Sequence, residues 1–167
     1  MNEYLKGSKL YGDDFDQEQI EKWFKEEEEA YADIRKTIKI KVNYTYHNLN
    51  KIHGFNKIPN LQFENVLGFG SAWGYEFEPI IDRIKNLTII EPSEQLINNK
   101  IKHIHPQYVK PHVTGTLDFP DNSFDLITCF GTLHHIPNVT HVLQEMIRVL
   151  KPNGYLLIRE PIQSMGD

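Results

Sequence analysis

Two stretches of this 167-residue chain carry residue types whose spacing can do chemistry. In the first, Val66-Leu67-Gly68-Phe69-Gly70-Ser71-Ala72-Trp73-Gly74, glycines stand where an apolar run ends and a helical pattern begins. Such a turn lets a ligand lie against bare backbone, and the amides that open the helix offer it hydrogen-bond donors. Gly70 and Gly74 are the contact candidates. Glu91 closes the next apolar run about 20 residues on, a distance at which a carboxylate can accept hydrogen bonds from both hydroxyls of a ribose. Pro92 and Ser93 follow, and Ser93 suits the task of capping the next helix, which leaves Glu91 available.

The second stretch is Gly115-Thr116-Leu117-Asp118-Phe119-Pro120-Asp121-Asn122-Ser123, continued through Phe130-Gly131-Thr132-Leu133 to His134 and His135. The two histidines follow an apolar run, and histidine titrates in the range useful to a general base. Either is a candidate base; the competing reading is a structural turn into Ile136-Pro137. Lys102-His103-Ile104-His105 offers too few ligands for a metal on its own. Cys129 is the sole cysteine, so no internal disulfide can form, and it reads as a small buried hydrophobe.

The elements that must position these residues alternate along the chain. Short apolar runs predict five strands, Asn65–Phe69, Leu87–Glu91, Tyr108–Val113, Phe124–Phe130 and Tyr155–Arg159, with helices over Gly74–Lys85, Ser93–Asn99 and Asn138–Leu150 between them. That order predicts an α/β fold, a Rossmann-like open parallel sheet with flanking helices. In the last helix Val139, Val142, Leu143, Met146, Ile147 and Leu150 form one apolar stripe, and Lys151-Pro152-Asn153-Gly154 turns the chain into the final strand.

Residues 1–61 differ in texture, being charged, aromatic and poor in glycine. They predict a helical prelude or lid on a core formed by 62–167, the whole making one compact domain. Asp16 can cap a helix whose apolar positions Ile20, Trp23, Phe24, Tyr31 and Ile34 recur at helical spacing, with Glu26 to Glu29 mostly on its wet side. A second helix or extended segment is expected over Ile38–Leu49.

Composition narrows the classes of function. A net charge of -5 and a pI near 5.9 give no general attraction to a phosphate backbone, so no nucleic-acid partner is expected. No apolar run reaches the roughly 20 residues of a membrane span, and residues 1–10 lack the apolar stretch of a signal peptide. A cytoplasmic location is the expectation.

The run from Gly115 to His135, together with Val149-Leu150-Lys151-Pro152-Asn153-Gly154-Tyr155-Leu156-Leu157-Ile158, resembles the class I S-adenosylmethionine-dependent methyltransferases, especially the subgroup with ubiquinone and menaquinone biosynthesis enzymes. The resemblance covers roughly residues 65–160. It implies S-adenosylmethionine as cofactor. Gly70, Ser71, Ala72 and Gly74 would run beside its methionine and ribose portions. Glu91 and Pro92 would lie at the ribose, Thr116 and Leu117 near the adenine, and Phe130 and Gly131 would face the cofactor from the fourth strand. The chain departs from the family at Gly68, where many members carry an acidic residue that helps hold the methionine amino end, and at Ala72, where glycine is usual.

Members of the family continue past the fifth strand with a helix and a two-strand hairpin, whereas this sequence stops at Asp167. The expectation is a fragment or a minimal fold with an unpaired edge at Tyr155–Ile158, and hence a possible homodimer through that edge. The implied activity is methyl transfer to a small-molecule or sugar-containing acceptor, oxygen ranking ahead of nitrogen or carbon. A cofactor-binding or regulatory domain without catalysis is the alternative. A nicotinamide-dependent dehydrogenase, suggested by Gly68-Phe69-Gly70, ranks lower because Trp73 stands where a glycine is needed.

Overall fold

The computed structural model describes residues 3, 6, 8–10, 12–32 and 44–161. The apolar runs form strands β1 (Phe63–Phe69), β2 (Ile84–Ile90), β3 (Gln107–Val109), β4 (Phe124–Phe130) and β5 (Leu150–Arg159). All pair in parallel, in the spatial order β3-β2-β1-β4-β5. The Rossmann-like class expected from the alternation is the one observed. Among the described residues β5 is an edge of the sheet.

Both faces of the sheet are covered, which is why the central strands read as nearly unbroken apolar runs. Val66 and Leu126 point into one core, with Phe55, Phe77, Ile81, Ile89 and Ile101. Their neighbours Leu67 and Ile127 point into the other, against the helix α3 (Val139–Val149). From that helix Val142, Met146 and Val149 are fully buried at one-turn spacing, whereas Ile147, predicted to lie in the stripe, is 64% exposed. Arg148 stands in the last turn of that helix. Its guanidinium ties Glu145 and Asp121 to the carbonyls of Leu117 and Phe119.

Three elements differ from expectation for identifiable reasons. The helix predicted over Gly74–Lys85 is a 3-10 segment, Tyr75–Arg83, with Pro79 inside it; proline has no N–H to donate, and an α-helical ladder cannot run through it intact. The helix predicted over Ser93–Asn99 shrinks to one 3-10 turn, Glu94–Leu96. β3 stops at Val109, and the next residues, Lys110 and Pro111, turn away to wall a cavity, since Pro111 could not continue the ladder. The turn at Lys151–Gly154 survives as an irregularity inside β5, where pairing with β4 jumps from Phe124↔Leu150 to Leu126↔Tyr155.

The N-terminal helix α1 (Gln17–Ala32) starts at the predicted cap. Asp16 Oδ1 accepts from the Gln19 amide, and Gln19 Oε1 accepts from the Asp16 amide, both at 2.9 Å. This reciprocal pair is a capping box. Asp16→Ala is expected to cost α1 about 1 kcal/mol, read as roughly fivefold faster amide hydrogen exchange in its first two turns. Of the predicted segment Ile38–Leu49, residues 38–43 lie outside the described residues, as does Ile34, and the remainder leads into α2 (His47–His53).

Candidate functional site

β1 is flanked by β2 on one side and β4 on the other, so the chain reverses its winding direction there. The C-terminal ends of those strands are where open parallel sheets bind ligands. After β1 the backbone takes the left-handed conformation at Gly70, Ala72 and Gly74, with φ of 67°, 46° and 70°. The turn is stitched to its surroundings by the Gly70 amide, which donates to the Ile90 carbonyl at 2.8 Å.

Glu91 stands just beyond β2 with 7% of its surface exposed. Its Oε2 accepts from the Ala72 amide at 3.1 Å and its Oε1 from the Ser93 amide at 3.0 Å. Burial raises its pKa, and the two amides pull it back down. The carboxylate is thus fixed against the glycine turn. Ser93 does not cap with its side chain, so the reason given for leaving Glu91 available does not hold. Glu91 itself receives the Ser93 amide, and its remaining acceptor capacity is what a ligand can use.

These strand ends open into a cavity of about 550 Å³, lined among others by Phe69, Gly70, Ala72, Glu91, Pro92 and Gly131. At Gly131, where φ is +73°, an added Cβ would meet nothing within 4 Å. The bare backbone there borders open space, as a close approach to a ligand requires. Pro111, His112 and Val113 close the side beyond β3.

α1 forms the roof through Ile20, Trp23, Phe24, Glu27 and Glu28. The Trp23 indole donates to the His135 carbonyl at 2.9 Å. Glu27, part of the acidic run expected mostly on the wet face, is half-buried on this roof. Position 27 follows Trp23 and Phe24 by one helical turn, which is the signal that places it there.

The structure separates the two candidate bases. His135 lines the cavity. His134 is turned away from it, with Nδ1 2.7 Å from Glu160 Oε2. The other oxygen of Glu160 accepts the Thr132 and Leu133 amides at 2.8 and 2.9 Å, so His134 belongs to a clamp that shapes the turn after β4.

Several residues singled out from the sequence lie behind the cavity wall. A Cβ on Gly68 would sit 2.4 Å from Ser71 Oγ and within 3 Å of the Phe77 ring; this glycine leaves room for core packing. Ser71 is buried and donates to Glu76 at 2.9 Å, and Gly74 packs on Ile101 and Ile89. Thr116 is engaged with Thr114 and His141, while Leu117 is buried and its amide donates to Glu145. Phe130 turns to the opposite face, beside Phe55 and Arg159. Cys129 is fully buried and burial pushes its thiol pKa up, which leaves it unreactive.

The methyltransferase-domain family model matches residues 67–158. This chain belongs to that family. Demethylmenaquinone methyltransferase of Bacillus licheniformis is 34% identical over 83 residues, 50% of this chain and 33% of that protein. The Listeria welshimeri enzyme of the same name is 55% identical over 40 residues, 24% of this chain and 17% of that one. The matched part thus spans a third or less of these curated relatives. Among solved structures, phosphoethanolamine N-methyltransferase 1 of Haemonchus contortus superposes with a TM-score of 0.67 at 18% identity, covering 91% of this chain and 34% of that one. An S-adenosylmethionine-dependent methyltransferase from Aquifex aeolicus gives 0.54 at 21%, covering 68% and 66%. At these identities the superpositions show the methyltransferase fold. In this methyltransferase-family chain the matched span includes the glycine turn, Glu91, Gly131 and His135, but not the α1 roof.

Proposed function

We propose that the chain binds S-adenosylmethionine in the 550 Å³ cavity and transfers its methyl group to a small-molecule acceptor. The observation that carries this reading is the junction of Glu91, the left-handed turn at Gly70–Ala72 and the open backbone of Gly131 at the reversal of the sheet. The residues fit the cofactor: Glu91 would take the ribose hydroxyls, and Gly70, Ala72 and Gly131 would let the ligand lie on backbone. Bound S-adenosylmethionine supplies a methyl group already activated on a sulfonium, the C–S electron pair returning to sulfur as the acceptor forms its new bond.

The chain's own contribution is chiefly placement. Holding an acceptor in line, with reacting atoms about 3–3.5 Å apart, replaces much of the entropy of a bimolecular encounter. The apolar roof residues Ile20, Trp23 and Phe24 exclude water from that space and suit an acceptor with an apolar or ring portion. Relatives named for demethylmenaquinone support a small molecule. His135, on the wall, is the group that would take a proton from a hydroxyl acceptor, which keeps oxygen ahead of nitrogen and carbon.

The test is a calorimetric titration with S-adenosylmethionine, S-adenosylhomocysteine and NAD. Saturable binding of both adenosyl ligands and none of NAD is the expected result. NAD binding alone would overturn the assignment, and cofactor binding with no turnover across a panel of hydroxyl, amine and quinol acceptors would leave a binding domain.

A further inference from the structure

The histidine that faces the cavity is held by a residue 108 positions away in sequence. Glu27 Oε2 lies 2.9 Å from His135 Nδ1, with the two side chains 32% and 30% exposed. One turn earlier on the same helix, Trp23 Nε1 donates to the carbonyl of the same histidine. α1 therefore grips His135 at both its backbone and its ring. All three residues border the cavity.

A carboxylate has only acceptor oxygens, so Nδ1 is the donor in this pair, and the neutral ring then carries its lone pair on Nε2. We propose that Glu27 is a positioning residue for His135: the N-terminal helix supplies the carboxylate that fixes the tautomer and orientation of the base. This rests on the methyltransferase reading given above. In the transfer step the acceptor oxygen would form its bond to the methyl carbon as the C–S bond breaks and its electron pair returns to sulfur; the hydroxyl proton would pass to Nε2, and the resulting imidazolium would be stabilised by the Glu27 carboxylate until the proton leaves to water. The logic is that of an orienting acid behind a histidine base, with the acid placed on the roof of the site. Base and roof are consequently assembled together, and the base is correctly set only when α1 is docked.

Among the described residues, the other groups near His135 do not supply this contact. His134 lies beside it, ring centroids 3.8 Å apart, but its own Nδ1 is committed to Glu160. Of the remaining charged wall residues, Glu94 pairs with Lys110 at 2.9 Å and Glu91 holds backbone amides. Glu28 and His112 complete the titratable lining, with no bond to His135 among the described residues.

The experiment is long-range 1H–15N NMR of the full chain at a pH where the imidazoles are neutral, with the His135 signals assigned by their loss in His135→Gln. The wild type is expected to show the Nδ1–H form in about tenfold excess, the ratio a charge-assisted hydrogen bond sustains, and to keep it with S-adenosylhomocysteine bound. Glu27→Leu should abolish the excess, Glu27→Gln should retain it because its amide oxygen still accepts, and Glu26→Gln, on the exposed face beside Lys22, should leave it unchanged. A dominant Nε2–H form in the wild type, an unchanged ratio in Glu27→Leu, or loss of the Nδ1–H form on adding S-adenosylhomocysteine would each overturn the proposal. Failure of that ligand to bind overturns the methyltransferase reading instead, and shows in the titration, not in the tautomer.

Discussion

Glu91→Ala is expected to weaken S-adenosylhomocysteine binding by roughly 100- to 10,000-fold in a calorimetric titration. Each hydrogen bond from a ligand hydroxyl to an ionised carboxylate contributes about 1.5–3 kcal/mol, and the ribose offers two. The loss has a second source within the protein, because Glu91 also holds the Ala72 and Ser93 amides. Removing it frees the turn that the ligand would rest on. Glu91→Gln, which keeps one acceptor and no charge, should fall between the two proteins, near a tenfold loss. Because burial raises the carboxyl pKa, affinity should decline on acidification earlier than for an ordinary surface carboxylate. Affinity within threefold of wild type, in a variant that melts normally, would remove Glu91 from the site.

The sequence was most informative where one physical rule dominated. Phe124–Phe130 is a strand with the predicted limits because a run apolar on both faces has few alternatives between two covered layers. α3 was legible from its stripe, and the capped start of α1 from Asp16. The glycine turn and Glu91 were legible because a strand-to-helix junction followed by a carboxylate at the next strand end is a local pattern. What escaped depended on tertiary packing. Glu76 falls within the helix predicted over Gly74–Lys85 and no pattern singles it out, yet it is 4% exposed within a 3-10 segment. Whether His134 or His135 faces the cavity is decided by Glu160 and Glu27, which no spacing rule links to them. Phe130 shows a signal that was readable: strand alternation puts it on the face of Thr128, opposite Cys129.

Glu76 yields the second large effect. Its Oε1 accepts from Ser71 Oγ at 2.9 Å and from Thr128 Oγ1 at 2.6 Å, tying the glycine turn to β4. Burial raises its pKa from the ordinary 4.5 to about 7, against the opposing pull of the two hydroxyls and the Arg159 charge. The folded protein therefore keeps a proton that the unfolded chain releases between about pH 4.5 and 7. With more protons bound in the folded state, stability is greatest below the unfolded value and falls as pH rises towards the folded one, by about 3 kcal/mol across the window. Glu76→Gln removes the titration while retaining an acceptor oxygen for both hydroxyls. Urea unfolding from pH 5 to pH 8 should show the variant gaining on the wild type as pH rises, until it is the more stable by about that amount. The difference between the two curves isolates Glu76 from Glu91, whose raised pKa slopes the same way in both proteins. Parallel curves would mean that the buried carboxyl stays ionised throughout, and the clip between the turn and β4 would then be a charge held by its two hydroxyls and the field of Arg159.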